Sequence, residues 1–579
     1  MSALKQSFIE TLQAQLDQTS SSKNLPKWIC NNTRDPRNPL KPWSFDEHEF
    51  QIEIIKSSAP KQSVIKCSQI GLSEVNARKG LALAYLNPGI NLIYTLPSGS
   101  FAGVFAKTRV SPVIKASKVL NAVLDKDTDN TKIKQIGSSF IYFQGTFSES
   151  SAISIPASVV IADEVDFSNQ DVLSDYTSRL GHEKANESQF IKFSTPTIEG
   201  YAISAEYAKS SQATYTVRCE HCNHVSTPDF LTDVVVPGLG LRAEEVNKHH
   251  VMTDAEAIKG AYCECQKCKK DLFTSLINPS RREWVHAFPS KQIDHEGFRV
   301  SPLDVPTINP PHRTLLQLED YKTEKSWLNF KLGQTCEASD TRFDSEIVDR
   351  VTKKVLDGGV YYGRCVAGLD VGKREAWLSI AVPHINAATG DLVDLEIVKL
   401  EVIDSTALPI EQNLGQRVLQ LMQPYGVRCV VSDSAPDFST PKTLINGIVT
   451  GEAFGCYYVG PSSFNKRLEF HKADKKSGVV AADRTGSLDN LCEMWNANSI
   501  SLPKCQETER VKRHLAGVRR VELEGDERWV KLSNMEDHWV HSFNYLQIAA
   551  MIYQQGFDPL QLAQVPGIGK AKVGYIGEK

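Results

Sequence analysis

Three groups of residues have the types and spacing to do chemistry. In SVIKCSQIGLSE, residues 63–74, a β-branched pair (Val64, Ile65) leads into a turn holding Gly71 and then a hydroxyl, Ser73. A phosphate-binding loop has this order: backbone N–H groups and a following helix N-terminus face the anion, a lysine bridges the outer phosphates, and a Ser or Thr holds Mg²⁺. The position before Ser73 is Leu72, where such a loop carries its lysine. Lys66 stands at the mouth of the turn, with Gln69 between it and Gly71, and its side chain is long enough to fold back over the phosphates. Further along, SVVIADEVDF at 158–167 runs through four apolar residues into Asp163 and Glu164. A buried strand ending in adjacent acids puts one carboxylate on Mg²⁺ through water and the second beside the attacking water as general base. Read together, Lys66, Gln69, Gly71, Ser73, Asp163 and Glu164 form a candidate ATP·Mg²⁺ site.

A second acidic group lies in the C-terminal half. Asp370 closes the apolar run VAGL and Asp433 closes CVVS. On neighbouring strands the two carboxylates reach one pocket, as phosphodiester cleavage by two Mg²⁺ or Mn²⁺ ions ~3.5–4 Å apart requires. A third ligand is expected from a late helix, where NMEDHWVHSFNYLQIAAMIY offers Asp537, with His541 one turn further on the same face. The third group is thiol. CEHC at 219–222 and CQKC at 265–268 present Cys219, Cys222, Cys265 and Cys268, a set suited to tetrahedral Zn²⁺ with no open position and hence to a structural site. Cys263, His221 and His224 are alternative ligands.

These groups need scaffolds. At 579 residues the chain exceeds one hydrophobic core, so two or more domains are expected. A net charge of −4 excludes a globally basic protein and leaves room for a local basic channel. The thirteen Cys outside any secretory context suggest a metal site in a reducing compartment, and no window approaches the ~18 uninterrupted apolar residues of a membrane span. A cytosolic protein is expected. Leu4, Phe8, Ile9, Leu12 and Leu16 predict a short amphipathic helix that packs on its own domain or docks a partner.

From 45 to about 210, strands (SVIKCS, NLIYTL, SSFIYFQG, SVVIADE, QFIKFSTP) alternate with helices at 73–86 and around 101–119, predicting an α/β fold with parallel pairing. Residues 211–290 break that rhythm around the cysteines, and 291–358 complete the first domain and link it onward. RCVAGLDVG, AWLSIAVPHI and LVDLEIVKLEVI then predict a three-strand meander, followed by a helix near 410–424 and the strand RCVVSDS, the opening of an RNase H-like domain over 359–557. Residues 1–44 form an N-terminal docking segment and 558–579 a Gly- and Lys-rich tail. The run ERVKRHLAGVRR at 509–520 is either a phosphate-tracking surface or a solvated helix face.

Lys66–Glu74 with its displaced lysine, DEVD at 163–166 and FSTPT at 193–197 resemble the ATPase centre of phage terminase large subunits, in particular the lambda-type (GpA-like) branch. The resemblance extends over roughly 40–555. It implies that a lysine at the front of the loop is the normal arrangement, that Asp163–Glu164 is the Walker B pair, and that the S-T-P segment couples hydrolysis to DNA movement. It also implies an adenine-recognising segment in KPWSFDEHEFQIEI with Phe50 and Gln51, and a zinc-ribbon-like insertion before the nuclease, followed by a Gly-Phe segment matched by EGFRVSPL. Two positions depart from the family. Ser68 stands where many members carry an arginine finger, so a neighbouring subunit would have to supply the cation, with Arg179 and Arg109 as the candidates. His541–Ser542 stands where the family has Asp–Ala, which leaves the third nuclease ligand open.

The resemblance implies ATP-driven translocation of double-stranded viral DNA into a procapsid and metal-dependent cutting of concatemers in the host cytoplasm. It implies as partners a small terminase subunit and a portal, with several copies in a ring. The alternatives are a helicase-like translocase with a degenerate nuclease domain, or a zinc-containing DNA-binding scaffold with a vestigial ATP site.

Overall fold

The structure is a computed structural model that describes residues 24–555 apart from short internal segments (36, 147–154, 183–187, 322, 337–341, 354–357, 387–389, 410, 435–437, 460–469, 524–525 and 534). The expected N-terminal helix and the C-terminal tail lie outside the described residues. Among the described residues no helix is long and apolar enough to cross a membrane. The chain divides at Glu337/Ala338 into two compact units.

The first unit is built on a ten-stranded sheet. Its strands are β1 (Lys61–Lys66), β2 (Asn91–Leu96), β3 (Ile133–Ile136), β4 (Ser139–Gly145), β5 (Val159–Asp163), β6 (Gln189–Ser194), β7 (Ala213–Arg218) and β8 (Val225–Ser226), with β12 (Arg282–His286) and β13 (His295–Val300) returning after the cysteine region. The order is β8-β7-β13-β1-β6-β5-β2-β4-β3, with β12 on β7. The run from β7 to β4 is parallel, and β8, β12 and β3 pair antiparallel at its margins.

Neighbouring residues of one strand enter different cores. Val64, Leu92 and Ile161 join one cluster, while Ile65, Ile93 and Val160 join another on the opposite face. A sheet buried on both faces gives continuous apolar strands, which is why these read as runs rather than alternations. Period-2 alternation also places Lys66 and Asp163 on the face of Val64 and Ile161, the face that packs Leu72 and Val75 of α1 (Leu72–Leu86).

The cysteine region is an excursion between β7 and β12, which belong to the sheet itself. It carries its own three-stranded sheet of β9 (Val234–Val236), β10 (Leu241–Arg242) and β11 (Tyr262–Cys263), and its own apolar cluster. The predicted helix around 101–119 is broken into Gly99–Phe105, a π turn at Ala106–Val110, Ser111–Ala116 and Lys118–Val123. Ser117 caps the last piece by accepting from Leu120 N–H.

The second unit holds a nine-stranded sheet ordered β14-β22-β17-β16-β15-β18-β19-β21-β20. Here β14 is Thr352–Lys353, β15 Val366–Val371, β16 Glu375–Ile385, β17 Leu392–Asp404, β18 Cys429–Asp433, β19 Glu452–Val459, β20 His471–Asp474, β21 Val479–Asp483 and β22 Ile500–Pro503. The predicted meander is β15-β16-β17, all antiparallel, and after α2 (Leu414–Met422) the chain returns as β18 parallel to β15. The helix α3 (Thr508–Ala516) precedes the long last helix α4 (His538–Gln555). α4 lies tight on β15: a Cβ on Gly368 would come within 2.2 Å of the Ser542 carbonyl oxygen. Only glycine permits that approach, and the small Ser542 meets Ser379 there, hydroxyl to hydroxyl at 2.9 Å.

Candidate functional site

In the first unit, β1 ends at Lys66 and the chain turns through Ser68, Gln69 (φ 59°) and Gly71 (φ 77°) into α1. Gln69 is exposed at the tip. Lys66, 6% exposed, points across to β5, where its Nζ lies 2.6 Å from Glu164 Oε1. Burial works against its charge, but Glu164 and Asp163 hold the ammonium above its ordinary pKa. The displaced lysine and the acidic pair therefore occupy one site.

Burial and the neighbouring Glu164 push Asp163 up to about 7, against Lys66, Ser73 and Tyr94. Tyr94 of β2 donates to its Oδ2 at 3.0 Å. Its Oδ1 is buried and takes no hydrogen bond from a described residue, the Ser73 hydroxyl standing beside the carboxyl. A buried carboxylate oxygen with an open valence next to a hydroxyl is a fit for Mg²⁺, whose ligands are hard oxygens. Glu164 sits in the left-handed region, φ 56° and ψ 52°, where the chain leaves β5, and its second oxygen is 3.4 Å from Ser194 Oγ.

Asp166, fully buried, accepts from Thr197 N–H and Oγ1, both at 2.8 Å, and from Ile203 N–H at 3.0 Å. These bonds tie the turn after the acidic pair to the FSTPT segment. The amide of Gln51 is buried and donates to the Ile70 carbonyl of the loop at 2.8 Å, leaving its Oε1 without a partner among the described residues. Glu74 takes both Arg78 and Arg109 at 2.9 Å, so Arg109 is paired within its own chain at the start of α1. Arg179 ends the helix Gln170–Arg179.

A neighbour of the loop carries no signature in the sequence. The segment Trp327–Gly333 lies against the loop: Ser68 N–H donates to the Phe330 carbonyl at 2.7 Å, and a Cβ on Gly333 (φ 67°) would stand 2.8 Å from Cys67 N. Phe330 stacks on Phe167, ring centroids 5.6 Å apart. Asn329 donates to the Thr197 carbonyl at 2.7 Å, which also takes Cys336 N–H at 3.2 Å. Loop, acidic turn and FSTPT segment thus share one backbone bracket.

The four thiols of Cys219, Cys222, Cys265 and Cys268 lie within 4.8 Å of one another. Each C-x-x-C turn is closed by a left-handed residue directly after its second cysteine, Asn223 (φ 57°) and Lys269 (φ 59°), and each first cysteine's carbonyl accepts from that residue's N–H at 2.9 Å. Two matching knuckles thus bring four thiols into a group that could hold a metal ion. Cys263, His221 and His224 stand outside the four-thiol group.

In the second unit, Leu369 pairs with Ser432 in parallel register, so Asp370 and Asp433 are successive neighbours at the ends of adjacent strands, about 5 Å apart at the backbone. Alternation puts both on the face that packs α4. Asp537 immediately precedes α4, and its Oδ2 faces His541 Nε2 at 3.3 Å. Burial opposes its charge, but the hydrogen bond with His541 and the nearby Lys531 hold the carboxyl below the ordinary range. Among the described residues the four cysteines are the one group of three or more candidate ligands gathered to hold a metal ion. The side chain that meets Asp370 is His538, with Nδ1 2.8 Å from Oδ2. The basic run is largely engaged internally: Arg510 pairs with Glu375 and Glu536, Lys512 with Asp349, Arg520 with Asp489 and Glu527, and Arg519 donates to the carbonyls of Ala516 and Val518. Arg513 is exposed.

Residues 40–275 match a protein-family model described as phage terminase large subunit gpA, ATPase domain. No curated protein matches the chain. The solved structure of the HK97 bacteriophage large terminase is similar over 91% of this chain and 98% of its own, at 10% identity and a TM-score of 0.50, a likeness of fold. The large terminase of a thermophilic bacteriophage aligns over 89% of this chain and 100% of its own at 12% identity and TM-score 0.31. RuvC of Thermus thermophilus aligns over 33% of this chain and 96% of its own at 15% identity and TM-score 0.19.

Proposed function

Since residues 40–275 match the model of the phage terminase large subunit gpA ATPase domain, we propose that this chain is the motor and nuclease of a viral DNA-packaging machine. It would drive double-stranded DNA into a procapsid with ATP and cut concatemeric DNA into genome units, working in the host cytoplasm with a small terminase subunit, a portal and further copies of itself in a ring.

The observation that carries the reading is the meeting of Lys66 with Glu164 beside Asp163 at the N-terminus of α1. In the proposed site Gly71, Gln69 and the first turn of α1 receive the phosphates, Lys66 bridges them, and Ser73 with Asp163 holds Mg²⁺. The bound ion would neutralise charge developing on the phosphoryl group. Glu164 orients and deprotonates water. Lys66, now paired with Glu164, would exchange that partner for phosphate and free the carboxylate to act as a base. Asp166 passes the change to Thr197, and Gln51 presents Oε1 to the adenine base. Asp370 and Asp433 serve the nuclease, with a third ligand from the start of α4 and Mg²⁺ or Mn²⁺ as the ions, while Cys219, Cys222, Cys265 and Cys268 hold structural Zn²⁺.

One observation favours a second reading, a translocase with a degenerate nuclease: Asp537 is paired to His541. Three variants separate the two. Lys66→Ala and Glu164→Ala are expected to lose ATP turnover, whereas Asp370→Ala loses DNA cutting and keeps turnover. Absence of metal-dependent cutting in the unaltered protein would select the second reading.

A further inference from the structure

The nuclease centre contains a side chain that the carboxylate pattern does not supply. His538 opens α4, and its imidazole lies flat on Trp377, ring centroids 3.6 Å apart and planes 5° from parallel. Trp377 is the residue directly opposite Asp370 across β15 and β16, so indole and carboxylate rise from one cross-strand pair on one face. The indole is supported in turn. Arg510 stands 5.7 Å from its ring centroid and is held by Glu375 at 2.9 Å and Glu536 at 3.3 Å, and Glu536 also faces His514 Nε2 at 2.9 Å. The imidazole is therefore positioned by stacking, independently of its contact with Asp370.

That contact has the dimensions of a coordination edge. Two donors on adjacent corners of an octahedral ion, each at about 2.1 Å, lie about 3 Å apart. His538 Nδ1 and Asp370 Oδ2 are 2.8 Å apart. Asp537, the carboxylate expected here, is turned to His541.

Resting on the nuclease reading above, we propose that His538 is a nitrogen ligand of the nuclease centre, sharing one divalent ion with Asp370 in the place of the late-helix carboxylate. Asp433 stands at the end of the adjoining strand β18. A nitrogen donor changes the cofactor class. Mg²⁺ is bound by hard oxygens, whereas first-row ions such as Mn²⁺ accept imidazole, so the site favours Mn²⁺ over Mg²⁺.

The test uses the full chain with Mn²⁺ and neither DNA nor nucleotide, read by pulsed electron paramagnetic resonance for directly bound ¹⁴N and by titration of free Mn²⁺. The unaltered protein is expected to show the nitrogen coupling. His538→Phe, which keeps an aromatic ring on Trp377, is expected to lose it and to bind Mn²⁺ at least ~10-fold more weakly, while His541→Ala keeps it. If His538→Phe does not fold, as judged by its thermal melt, His538→Gln is read in the same spectrum. Retained coupling or unchanged Mn²⁺ affinity in the folded His538 variant overturns the proposal. Nitrogen-coupled Mn²⁺ without any DNA cutting would overturn the nuclease reading and leave the ligand assignment standing. Metal-dependent cutting with no nitrogen coupling would do the reverse.

Discussion

Lys66 Nζ lies 2.6 Å from Glu164 Oε1, joining the end of β1 to the residue that follows β5. Both groups are displaced from ordinary positions: the lysine stands at the front of its loop, and Glu164 is held at φ 56°, a conformation costing a non-glycine residue roughly 1–2 kcal/mol. The pairing assigns the two residues different losses. Lys66→Ala removes the cation that meets phosphate, so nucleotide affinity and turnover fall together. Glu164→Gln keeps the shape and leaves Lys66 available to phosphate, so affinity is retained while kcat falls ~10²–10⁴-fold. Fluorescent-nucleotide binding beside phosphate release measures both. Equal loss of affinity in the two variants would contradict the assignment.

Gly333 predicts a defect at the loop from a residue outside it. A Cβ there would stand 2.8 Å from Cys67 N and 2.9 Å from Lys66 C, at a φ of 67°. The added atom meets backbone, which cannot swing aside. Gly333→Ala is expected to cost about 1–3 kcal/mol in stability and to weaken nucleotide binding by displacing Lys66. Asn329→Ala tests the same bracket without strain by releasing the Thr197 carbonyl. Its expected signature is near-normal nucleotide affinity with slower turnover, measured in the same two assays.

What the sequence made legible follows from where information sits in side chains. β5 was legible because a strand buried on both faces must be apolar along its length and Asp163 and Glu164 break that run at once. The meander from β15 to β17 and the parallel return of β18 were legible for the same reason. The bracket at Phe330 was not, since a carbonyl accepting from Ser68 N–H leaves no mark on residue type. The late helix shows a finer limit. Helical spacing correctly put Asp537 and His541 within reach of each other, but the direction of that pair depends on where α4 begins, and with His538 as its first residue the imidazole faces Asp370. The cysteine region reads as a separate module because its lining is irregular, yet β7 and β12 at its two ends pair with each other inside the main sheet.

The four thiols predict a tightly held metal. One equivalent of zinc per chain is expected by elemental analysis, with Cys265→Ser or Cys219→Ser losing it and destabilising the region by several kcal/mol. Cys263→Ser is the informative control. Its thiol is buried among apolar residues of the same cluster and lies outside the four-thiol group, so its replacement should leave the zinc content unchanged. Zinc lost from Cys263→Ser, or retained in Cys265→Ser, would reassign the ligands.

Ser63 and His295 join β1 to β13 through a 2.8 Å hydrogen bond, and they predict how the first unit responds to acid. Burial lowers His295 to about 4, helped by Lys61, Lys192 and Lys209 and opposed by Glu206. Its folded pKa is below that of an unfolded histidine, so the unfolded chain takes up the proton first. The stability His295 contributes is complete above about 6.5 and is lost as pH falls toward 4, up to about 3 kcal/mol. His295→Asn should flatten that window, measured as the difference in melting temperature between variant and unaltered protein at pH 7 and pH 5. A difference independent of pH would remove the histidine from the account.

The basic run separates a structural from a nucleic-acid role. Arg510 reaches Glu375 and Glu536 within its own unit, and its guanidinium also supports Trp377. A cation already committed to two carboxylates releases few counterions on meeting a phosphate, so it adds little to the salt dependence of DNA binding. Arg510→Ala is accordingly expected to lower the stability of the second unit by about 1–2 kcal/mol and to leave the slope of DNA affinity against salt unchanged. Arg513, exposed on the same helix, is the contrast: its removal should cost little stability and reduce that slope by about 1 if the helix tracks phosphate. Should Arg510→Ala reduce the slope instead, the carboxylates must release it when DNA binds, and α3 would be a nucleic-acid surface that is masked in the free protein.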